Sequence, residues 1–438
     1  MLSQEMLGAS KPLHPATGET GLPFQRDLVI ASLVSMNQPD FMKNNPPNNR
    51  TKIFNSYIYP RPPKALCLVI CTVGLCLSMN AGEKKTTITT FDAPGAGTAP
   101  GLGTFPSGIN SSGAIVGFTR DSNAARHAFL RGHDGAFTII DDPAAGTCTA
   151  SCGTIGNGQG TRAYAINPSG QIVGFFTDNS GTCHGYVRAP NGTFTQIDAP
   201  DAGTGPFPQG TFPSEFTPMG INPGGAITGF YVDASSVQHG FVRASSGRIT
   251  EFDPAGSIFT NPNAIDAPGS ITGFYFDANF VGHGFLRTPD GTITSFDAPG
   301  ADMTGDGNGT FGVGLTPSGE VEGVYVDIDG VLHGFIRSKQ GVFTDFNVPG
   351  AGTGAGQGTL PESNNTSGSI AGNYLDGSGV DHGFLFDKQG NFSVFDVPGM
   401  GTGAGQGTIP LDNSDSNATT GEAIDGSGVI HGFLVEGL

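Results

Sequence analysis

The chain has 438 residues, of which 71 are Gly and 31 are Pro, about twice the usual combined share of these two residues, which excludes a fold of long helices. Trp is absent, Phe is frequent at 32, and charged residues make up 13%. This composition favours short β-strands separated by turns. The formal net charge of −18 argues against a nucleic-acid partner, because phosphate binding requires a basic surface.

The first sixty residues differ from the rest of the chain. Residues 1–60 have no periodic pattern, and the run 44–49 consists of Asn and Pro alone. We predict that this extension is disordered, and that the natural start of translation lies later, at Met42 or at a nearby codon.

A short apolar segment follows. Arg61 and Lys64 precede an uncharged apolar run, 65–79, which is followed by the small residue Ala81. The run is short for a membrane span and has the length of a signal-peptide core, so residues 61–81 are predicted to be a signal peptide. An uncleaved membrane anchor is the alternative. Cleavage predicts a secreted or extracytoplasmic protein with no membrane span. We separately expect a monomer.

The remainder, residues 82–438, is built from repeats. A triplet of His, then Gly or Ala, then an aromatic residue occurs seven times, and an Asp stands six positions before each His. These pairs are Asp121 and His127, Asp178 and His184, Asp233 and His239, Asp277 and His283, Asp327 and His333, Asp376 and His382, and Asp425 and His431. A fixed period of this length indicates a propeller or a solenoid.

Residues 160–199 illustrate one repeat. Four strands are predicted, GTRAYAIN, QIVGFFTD, HGYVRA and TFTQIDAP, with tight turns at Asn167–Gly170 and Asn191–Gly192. Such turns produce an antiparallel meander. A longer Gly-rich link then leads to the next repeat, as a propeller requires when the chain crosses from the edge of one blade to the centre of the next.

The two ends of the repeat region complement each other. The last copy lacks a fourth strand, and a matching segment, TTITTFDAP, lies at residues 86–94. The predicted fold class is therefore all-β, a seven-bladed β-propeller of four-stranded antiparallel blades, closed by pairing of the N-terminal strand with the C-terminal strands. An open repeat array is the alternative.

The repeated His and Asp residues favour a structural role over a metal site or a catalytic site, because they are distributed evenly among the repeats. The Asp closes the second strand and the His begins the third, so we expect a hydrogen bond across that hairpin. An Asp or Asn also ends each fourth strand, and we expect it to cap the following link. These residues are Asp92, Asp141, Asp198, Asp253, Asp297, Asn347 and Asp396.

Other candidate sites are few, and no cofactor is predicted. Asp302, Asp306 and Asn308 offer oxygen ligands in a Gly-rich loop, a weak candidate for calcium because the EF-hand pattern is missing. Cys148 and Cys152 form a possible disulfide in an oxidising compartment. Zinc is the less favoured alternative there, since no second pair of ligands accompanies them.

The repeats resemble a known family. The copy RHAFLR at residues 126–131, with the recurrent INxxGxIxG before the His triplets, is similar to the HAF-repeat family of bacterial extracellular proteins. The resemblance covers residues 86–438, although six copies have Gly in place of Ala and the Trp that often follows the triplet is missing. It implies export and repeats, and it implies no catalytic residues.

Two classes of function are compatible with these features. The first is a secreted non-enzymatic module that binds a glycan, a protein or the cell surface through the loops of a rigid fold. The second is a polysaccharide lyase or glycoside hydrolase with its site at the channel mouth. Residues that break the repeat near the first strands would then act, namely Arg162, Tyr164, Glu215, Glu362 and Asp412. The regularity of the repeats favours binding.

Overall fold

The computed structural model describes residues 86–147, 158–214 and 217–438. The predicted extension and signal peptide, Cys148 and Cys152, and Glu215 lie outside these ranges. Every regular element within them is a β-strand. Among these residues no helix has the length and apolarity that a membrane span needs.

The strands fall into units of four, which we number in chain order. Unit 1 contains β2 (Gly103–Ile109), β3 (Ile115–Arg120), β4 (Arg126–Arg131) and β5 (Phe137–Ile139), and unit 2 contains β6 (Gly160–Ile166), β7 (Ile172–Thr177), β8 (Cys183–Arg188) and β9 (Phe194–Ile197). Unit 3 contains β10 (Gly210–Pro213), β11 (Ile227–Val232), β12 (Gln238–Arg243) and β13 (Ile249–Phe252), and unit 4 contains β14 (Phe259–Ile265), β15 (Ile271–Phe276), β16 (Gly282–Arg287) and β17 (Ile293–Phe296).

The later units continue this order. Unit 5 contains β18 (Thr310–Leu315), β19 (Val321–Val326), β20 (Leu332–Arg337) and β21 (Phe343–Phe346), and unit 6 contains β22 (Gly358–Asn364), β23 (Ile370–Leu375), β24 (Asp381–Phe386) and β25 (Phe392–Phe395). Unit 7 contains β26 (Gly407–Asn413), β27 (Thr419–Ile424) and β28 (Ile430–Glu436), and its fourth strand is β1 (Thr87–Phe91), which precedes unit 1 in the chain.

Each unit is an antiparallel meander. In unit 2, β7 pairs with β6 on one side and with β8 on the other, and β9 pairs with β8. These strands match the four segments expected within residues 160–199. The predicted turn at Asn167 is also present, since Gly170 N–H donates to the Asn167 carbonyl at 2.9 Å.

The aromatic residue of each His triplet forms the core of its unit. Phe129, Tyr186, Phe241, Phe285, Phe335, Phe384 and Phe433 are all completely buried. Burial of a side chain of this size stabilises the fold by about 1.5–3 kcal/mol. The triplet is therefore repeated because its third residue is the central packing residue of a sheet.

A Gly connects most units to the one before. At the start of β22, Gly358 forms a parallel bridge with Leu332, the first residue of β20 in the preceding unit. A Cβ at Gly358 would lie 2.1 Å from the Leu332 carbonyl oxygen. Gly103, Gly160, Gly210 and Gly407 make the same bridge within the main sheet, and Gly309 makes it as an isolated bridge. Only Gly permits strands to approach so closely at this position.

The strand ladder is not continuous through all units. β14–β17 form a separate four-stranded sheet, whereas the other strands belong to one large sheet. The residue before the buried Thr260 is Phe259, where most units have the bridging Gly. A side chain there prevents the parallel bridge to the preceding unit, because the required backbone approach leaves no room for a Cβ.

The two ends of the described chain are adjacent. β1 pairs antiparallel with β28 over five residue pairs, from Thr87 with Glu436 to Phe91 with Gly432. At the start of the same β28, Gly103 bridges to Ile430, and β2 contacts β27. Strands from the start and the end of the chain therefore share one sheet.

Candidate functional site

The His of each unit is held by the residue that ends the fourth strand. His Nδ1 donates to that side chain at 2.7–3.0 Å in all the repeats. The acceptors are Asp141, Asp198, Asp253, Asp297, Asn347, Asp396 and Asp92. This hydrogen bond ties the third strand to the end of the fourth.

This geometry corrects the hydrogen bond expected from the sequence. The Asp six positions before the His bonds to it in one unit, where Asp327 lies 3.0 Å from His333 Nε2. In the other units the corresponding distance is 3.7–3.9 Å. The upstream carboxylate instead closes the turn that follows it: Asp277 accepts from Asn279 N–H and from Val281 N–H at 2.8 and 2.9 Å. The bond from Val281 lowers the pKa of Asp277.

The His rings also pack on aromatic side chains of the second strand. Tyr231, Tyr275, Tyr325 and Tyr374 stack on the His of their own units with ring centroids 4.9–5.1 Å apart. The hydrogen bond to Asp141 raises the pKa of His127, and the bond to Asp198 raises that of His184. Every imidazole is thus held by a hydrogen bond beside a nearby carboxylate, and the four that pack on Tyr also by a ring stack, which is a structural environment.

Six links between units are capped by Thr and not by the Asp that ends the fourth strand, whereas Thr260 donates to Asp253. Thr408 Oγ1 accepts from Val397 N–H at 2.9 Å, and Thr104 Oγ1 accepts from Ala93 N–H at 3.0 Å. Equivalent bonds are made by Thr161, Thr211, Thr310 and Thr359. The hydroxyl satisfies the first backbone donor of the link and joins one unit to the next.

In several units the residue four positions after the His packs against the preceding unit. The guanidinium groups of Arg287 and Arg337 lie 4.9 Å from the ring centroids of Phe252 and Phe296. In unit 6 Phe386 takes this place, and its ring stacks on Phe346 at 4.8 Å. A cation–π contact and an aromatic stack therefore perform the same packing task.

Most of the first strands carry a bulge at the same position, and the bulged residues differ in chemistry. They are Ser107, Tyr164, Asn263, Val313, Glu362 and Leu411. The first strands of successive units contact each other. Two of the five residues that the enzyme hypothesis selected, Tyr164 and Glu362, occupy this bulged position.

Three of the selected residues have partners within the fold. Asp412 is buried and accepts from Ile109 N–H at 2.7 Å and from Asn413 N–H at 2.9 Å. Burial raises its pKa to about 7. Tyr164 packs between Phe118 and Phe175, and Arg162 donates to the Gly158 carbonyl at 3.1 Å.

Acidic groups missed by the sequence analysis lie in the second strands. Burial, and then the charge of Glu422, raises the pKa of Glu362 to about 8. Burial raises the pKa of Glu422 itself to about 7, and that of Glu322 well above its usual value. Glu422 occupies the position of Phe118 and Phe175 in other units, directly after the strand Gly. Comparing equivalent positions across the repeats would have revealed this substitution.

A basic group accompanies the acidic one. Arg120, Arg126 and Arg162 lie in units 1 and 2, and burial followed by the charge of Arg162 lowers the pKa of both Arg120 and Arg126. The charge of Glu422 opposes this effect at Arg120. Polar residues therefore interrupt the apolar packing between units 6, 7, 1 and 2.

The calcium candidate is an internally bonded loop. Asp302 accepts from Thr304 N–H and from Asn308 Nδ2, both at 2.9 Å, while Asp306 is exposed with a φ of 61°. The bond from Asn308 lowers the pKa of Asp302. Within the described ranges no group of three or more His, Cys, Asp or Glu side chains is arranged to hold a metal ion.

The turns between second and third strands and the links between units lie on one side, which we call the loop face. Gly307 N–H donates to the Phe280 carbonyl at 3.0 Å, which joins the link after unit 4 to the turn of that unit. The links after units 5, 6 and 7 make the same bond, to Gly330, Gly379 and Gly428 at 2.8–2.9 Å. Turn and link thus form a repeated, anchored surface.

Comparison with known proteins identifies similar folds and no family. No protein-family model matches the chain, and no curated protein matches it. Among solved structures, the chain is similar to the lectin BP39L from Burkholderia pseudomallei, with 13% identity and a TM-score of 0.47 over 75% of this chain and 94% of that one.

Two further structures have a similar fold over part of their length. A puromycin hydrolase is 12% identical with a TM-score of 0.46 over 73% of this chain, and TolB from Acinetobacter baumannii is 14% identical with a TM-score of 0.36 over 55% of it. The chain spans about half the length of these two proteins, 50% and 52%. These likenesses concern the fold alone, and the all-β architecture described above stands without them.

Proposed function

We propose that the chain from residue 86 onward is a closed seven-bladed propeller that acts outside the cytoplasm as a non-enzymatic binding module. The adjacency of β1 and β28 supports closure. His431 in β28 donates to Asp92 after β1 at 2.9 Å, which is the bond that other units make between their own third and fourth strands. The N-terminal strand thus supplies what unit 7 lacks.

Export is supported by the sequence. The apolar run 65–79 between basic residues and Ala81 has the features of a signal peptide. The resemblance of residues 86–438 to extracellular HAF-repeat proteins points the same way. The ligand would then be an extracellular glycan or protein.

The anchored loop face is the observation that carries the binding role. Several links are fixed at one end by a buried Thr and further along by a hydrogen bond to the neighbouring turn, as at Thr408 and Gly405. Loops that are held by a rigid scaffold are the usual location of binding sites. The loop face presents such anchored loops in successive units.

The ionisable groups do not favour catalysis. The His residues belong to the hydrogen-bonding framework of every unit, and Asp412 accepts two backbone hydrogen bonds. The charges acting on Glu362 are the carboxylates of Glu422 and Asp381, which are of its own chemical type. A general acid or nucleophile requires a partner of different chemistry within reach.

The proposal is tested with the exported protein, purified from culture medium and applied to arrays of glycans and peptides. Each molecule that binds is then incubated with the protein, and the products are analysed by mass spectrometry. We expect binding that is lost on substitution of loop-face residues and is kept on substitution of the opposite turns. Turnover of a bound molecule, or binding through the opposite turns, would contradict the proposal.

A further inference from the structure

Large apolar side chains are exposed on the loop face of three adjacent units. They are Val237, Ile258, Phe280, Met303 and Ile328, with exposed fractions of 36%, 39%, 51%, 43% and 70%. We call these five residues the apolar strip. Single exposed apolar residues are ordinary, whereas several on one face indicate an interaction surface.

The backbone connects the members of the strip. The link that carries Met303 is bonded at one end to Val326, two residues before Ile328, through Asp302 N–H at 2.8 Å. At its other end, Gly307 N–H bonds to the carbonyl of Phe280 at 3.0 Å. Ile258 N–H donates to the Phe276 carbonyl at 2.8 Å, just before the turn of unit 4. These bonds connect Met303 to the turns of units 4 and 5 and Ile258 to unit 4, while Val237 lies in the turn of unit 3.

Val237 is exposed because of a shortened link. The equivalent residues Val281, Val331, Val380 and Val429 are 5–8% exposed. Gly-rich links follow units 4, 5, 6 and 7, whereas unit 3 is joined to unit 4 by only a few residues, 254–258. The loss of loop residues at this one junction uncovers an apolar side chain that other units bury.

Phe280 occupies a backbone conformation that suits Gly. Its φ is 58°, and the equivalent residues Gly181, Gly330, Gly379 and Gly428 also have positive φ. A bulky side chain in the left-handed region costs about 1–2 kcal/mol. An exposed Phe that gains little from burial and adopts an unfavourable conformation indicates a role on the surface.

The surroundings of the strip are acidic. The turns and links that carry it, 233–237, 254–258, 277–281, 301–308 and 327–331, contain six Asp and no Lys or Arg. Among these, Asp306 and Asp329 are exposed. A partner that covers the strip must bring apolar side chains and positive charge together.

We propose that the apolar strip docks a protein segment in which apolar side chains alternate with Lys or Arg. The inference rests on the proposed binding function and names the class of ligand and the part of the loop face that takes it. Phe280, Met303 and Ile328 would contact the apolar side chains, and Asp306 and Asp329 would pair with the basic ones.

Three short synthetic peptides of equal length test this inference: alternating Leu and Lys, alternating Ser and Lys, and alternating Leu and Glu. Each carries a fluorophore, and its binding to the full exported protein is followed by fluorescence anisotropy. We expect the Leu–Lys peptide to bind roughly tenfold more tightly than either control peptide. Equal binding of the Ser–Lys peptide would show that charge alone acts and would overturn the inference.

Two matched triple variants locate the site. The first carries Phe280→Asn, Met303→Ser and Ile328→Ser. The second carries Ile139→Ser, Val342→Ser and Val394→Ser, which alter three residues of similar exposure, 43%, 63% and 46%, outside the loop face. We expect the first variant to lose binding of the Leu–Lys peptide by roughly tenfold and the second to keep it. Equal effects would overturn the inference.

Further measurements control for folding of the variants and for other molecules that could cover the apolar strip. Asn tolerates positive φ, so Phe280→Asn alone should not lower the thermal unfolding temperature while it weakens peptide binding.

Sedimentation and vesicle flotation test two other occupants of the apolar strip, a second copy of the chain and a lipid surface. Dimerisation or membrane binding that only the first triple variant abolishes would assign the strip to a second copy or to lipid, against this inference. If the Leu–Lys peptide fails to bind the apolar strip while ligands from the arrays still bind elsewhere on the loop face, the inference fails and the proposed function stands.

Discussion

Asp92 and His431 lie 339 positions apart in the chain, yet His431 Nδ1 donates to the Asp92 carboxylate at 2.9 Å. In unit 2 the same bond joins His184 and Asp198, which are 14 positions apart. One local interaction therefore connects the two ends of the repeat region. This equivalence allows the closure to be tested against an internal standard.

Removal of this bond should destabilise the protein as much as removal of its internal counterpart. We expect Asp92→Ala and Asp198→Ala each to lower the free energy of unfolding by about 1 kcal/mol, measured by urea denaturation. Asp92→Asn should cost less, because Asn347 accepts the same bond from His333 at 3.0 Å. A neutral Asp92→Ala beside a destabilising Asp198→Ala would contradict the role of β1 in unit 7.

The Thr caps should contribute more than their small size indicates. In the wild-type protein the Val397 N–H donates to the Thr408 hydroxyl at 2.9 Å. Thr408→Val keeps the shape of the side chain but leaves this buried N–H without an acceptor. We expect a loss of about 1–3 kcal/mol in the free energy of unfolding. Thr193→Val is the control, since Thr193 is exposed. Equal effects of the two substitutions would refute the capping role.

The bridging Gly residues should tolerate no side chain. A Cβ at Gly358 would lie 2.1 Å from the Leu332 carbonyl oxygen, and the φ there is 126°. We expect Gly358→Ala to destabilise the protein by about 2–4 kcal/mol, measured by chemical denaturation. Gly377 has no atom within 4 Å of the corresponding point, so Gly377→Ala should be nearly neutral. A tolerated Gly358→Ala would show that the units need not approach this closely.

Stability should fall as the pH rises through neutrality. The folded protein holds protons on Glu362, Glu422 and Asp412 up to pKa values of about 8, 7 and 7, whereas in the unfolded chain these groups lose them near pH 4. Between these limits the folded state binds more protons, so the free energy of unfolding decreases with rising pH. Denaturation at pH 5 and pH 8 measures the effect, and Glu362→Gln should reduce the difference. An unchanged pH dependence in that variant would contradict the assignment.

Local sequence signals predicted the strands well. Each hairpin is specified within a few residues by turn-forming Gly, Pro, Asn and Asp, so the strands of unit 2 and the turn at Asn167 are where the pattern indicated. The acceptor of each His was harder to predict, because the residue that ends the fourth strand lies 14 positions after the His in unit 2, farther along the chain than the Asp before the His. Its proximity depends on the register of two paired strands.

The buried acids and the apolar strip were not predicted for a different reason. Glu422 stands where other units have residues such as Phe118, and Glu322 stands where other units have Val, Ala or Thr, inside strands whose pattern is otherwise regular. A single carboxylate does not alter the strand prediction. Exposure of Val237 depends on the length of a link that is remote from it in the chain. The substitution at Glu422 is visible when equivalent positions of the repeats are compared in the sequence, whereas the exposure of Val237 becomes visible only in three dimensions.

A designed disulfide between the two ends tests the central claim most directly. Thr87 in β1 and Glu436 in β28 are exposed and directly paired, so Thr87→Cys with Glu436→Cys should form an intramolecular disulfide upon mild oxidation, identified by mass spectrometry of the digested monomer. A closed ring predicts this crosslink in nearly all molecules, without loss of thermal stability. Thiols that remain free, or crosslinks only between molecules, would contradict closure of the propeller by its N-terminal strand.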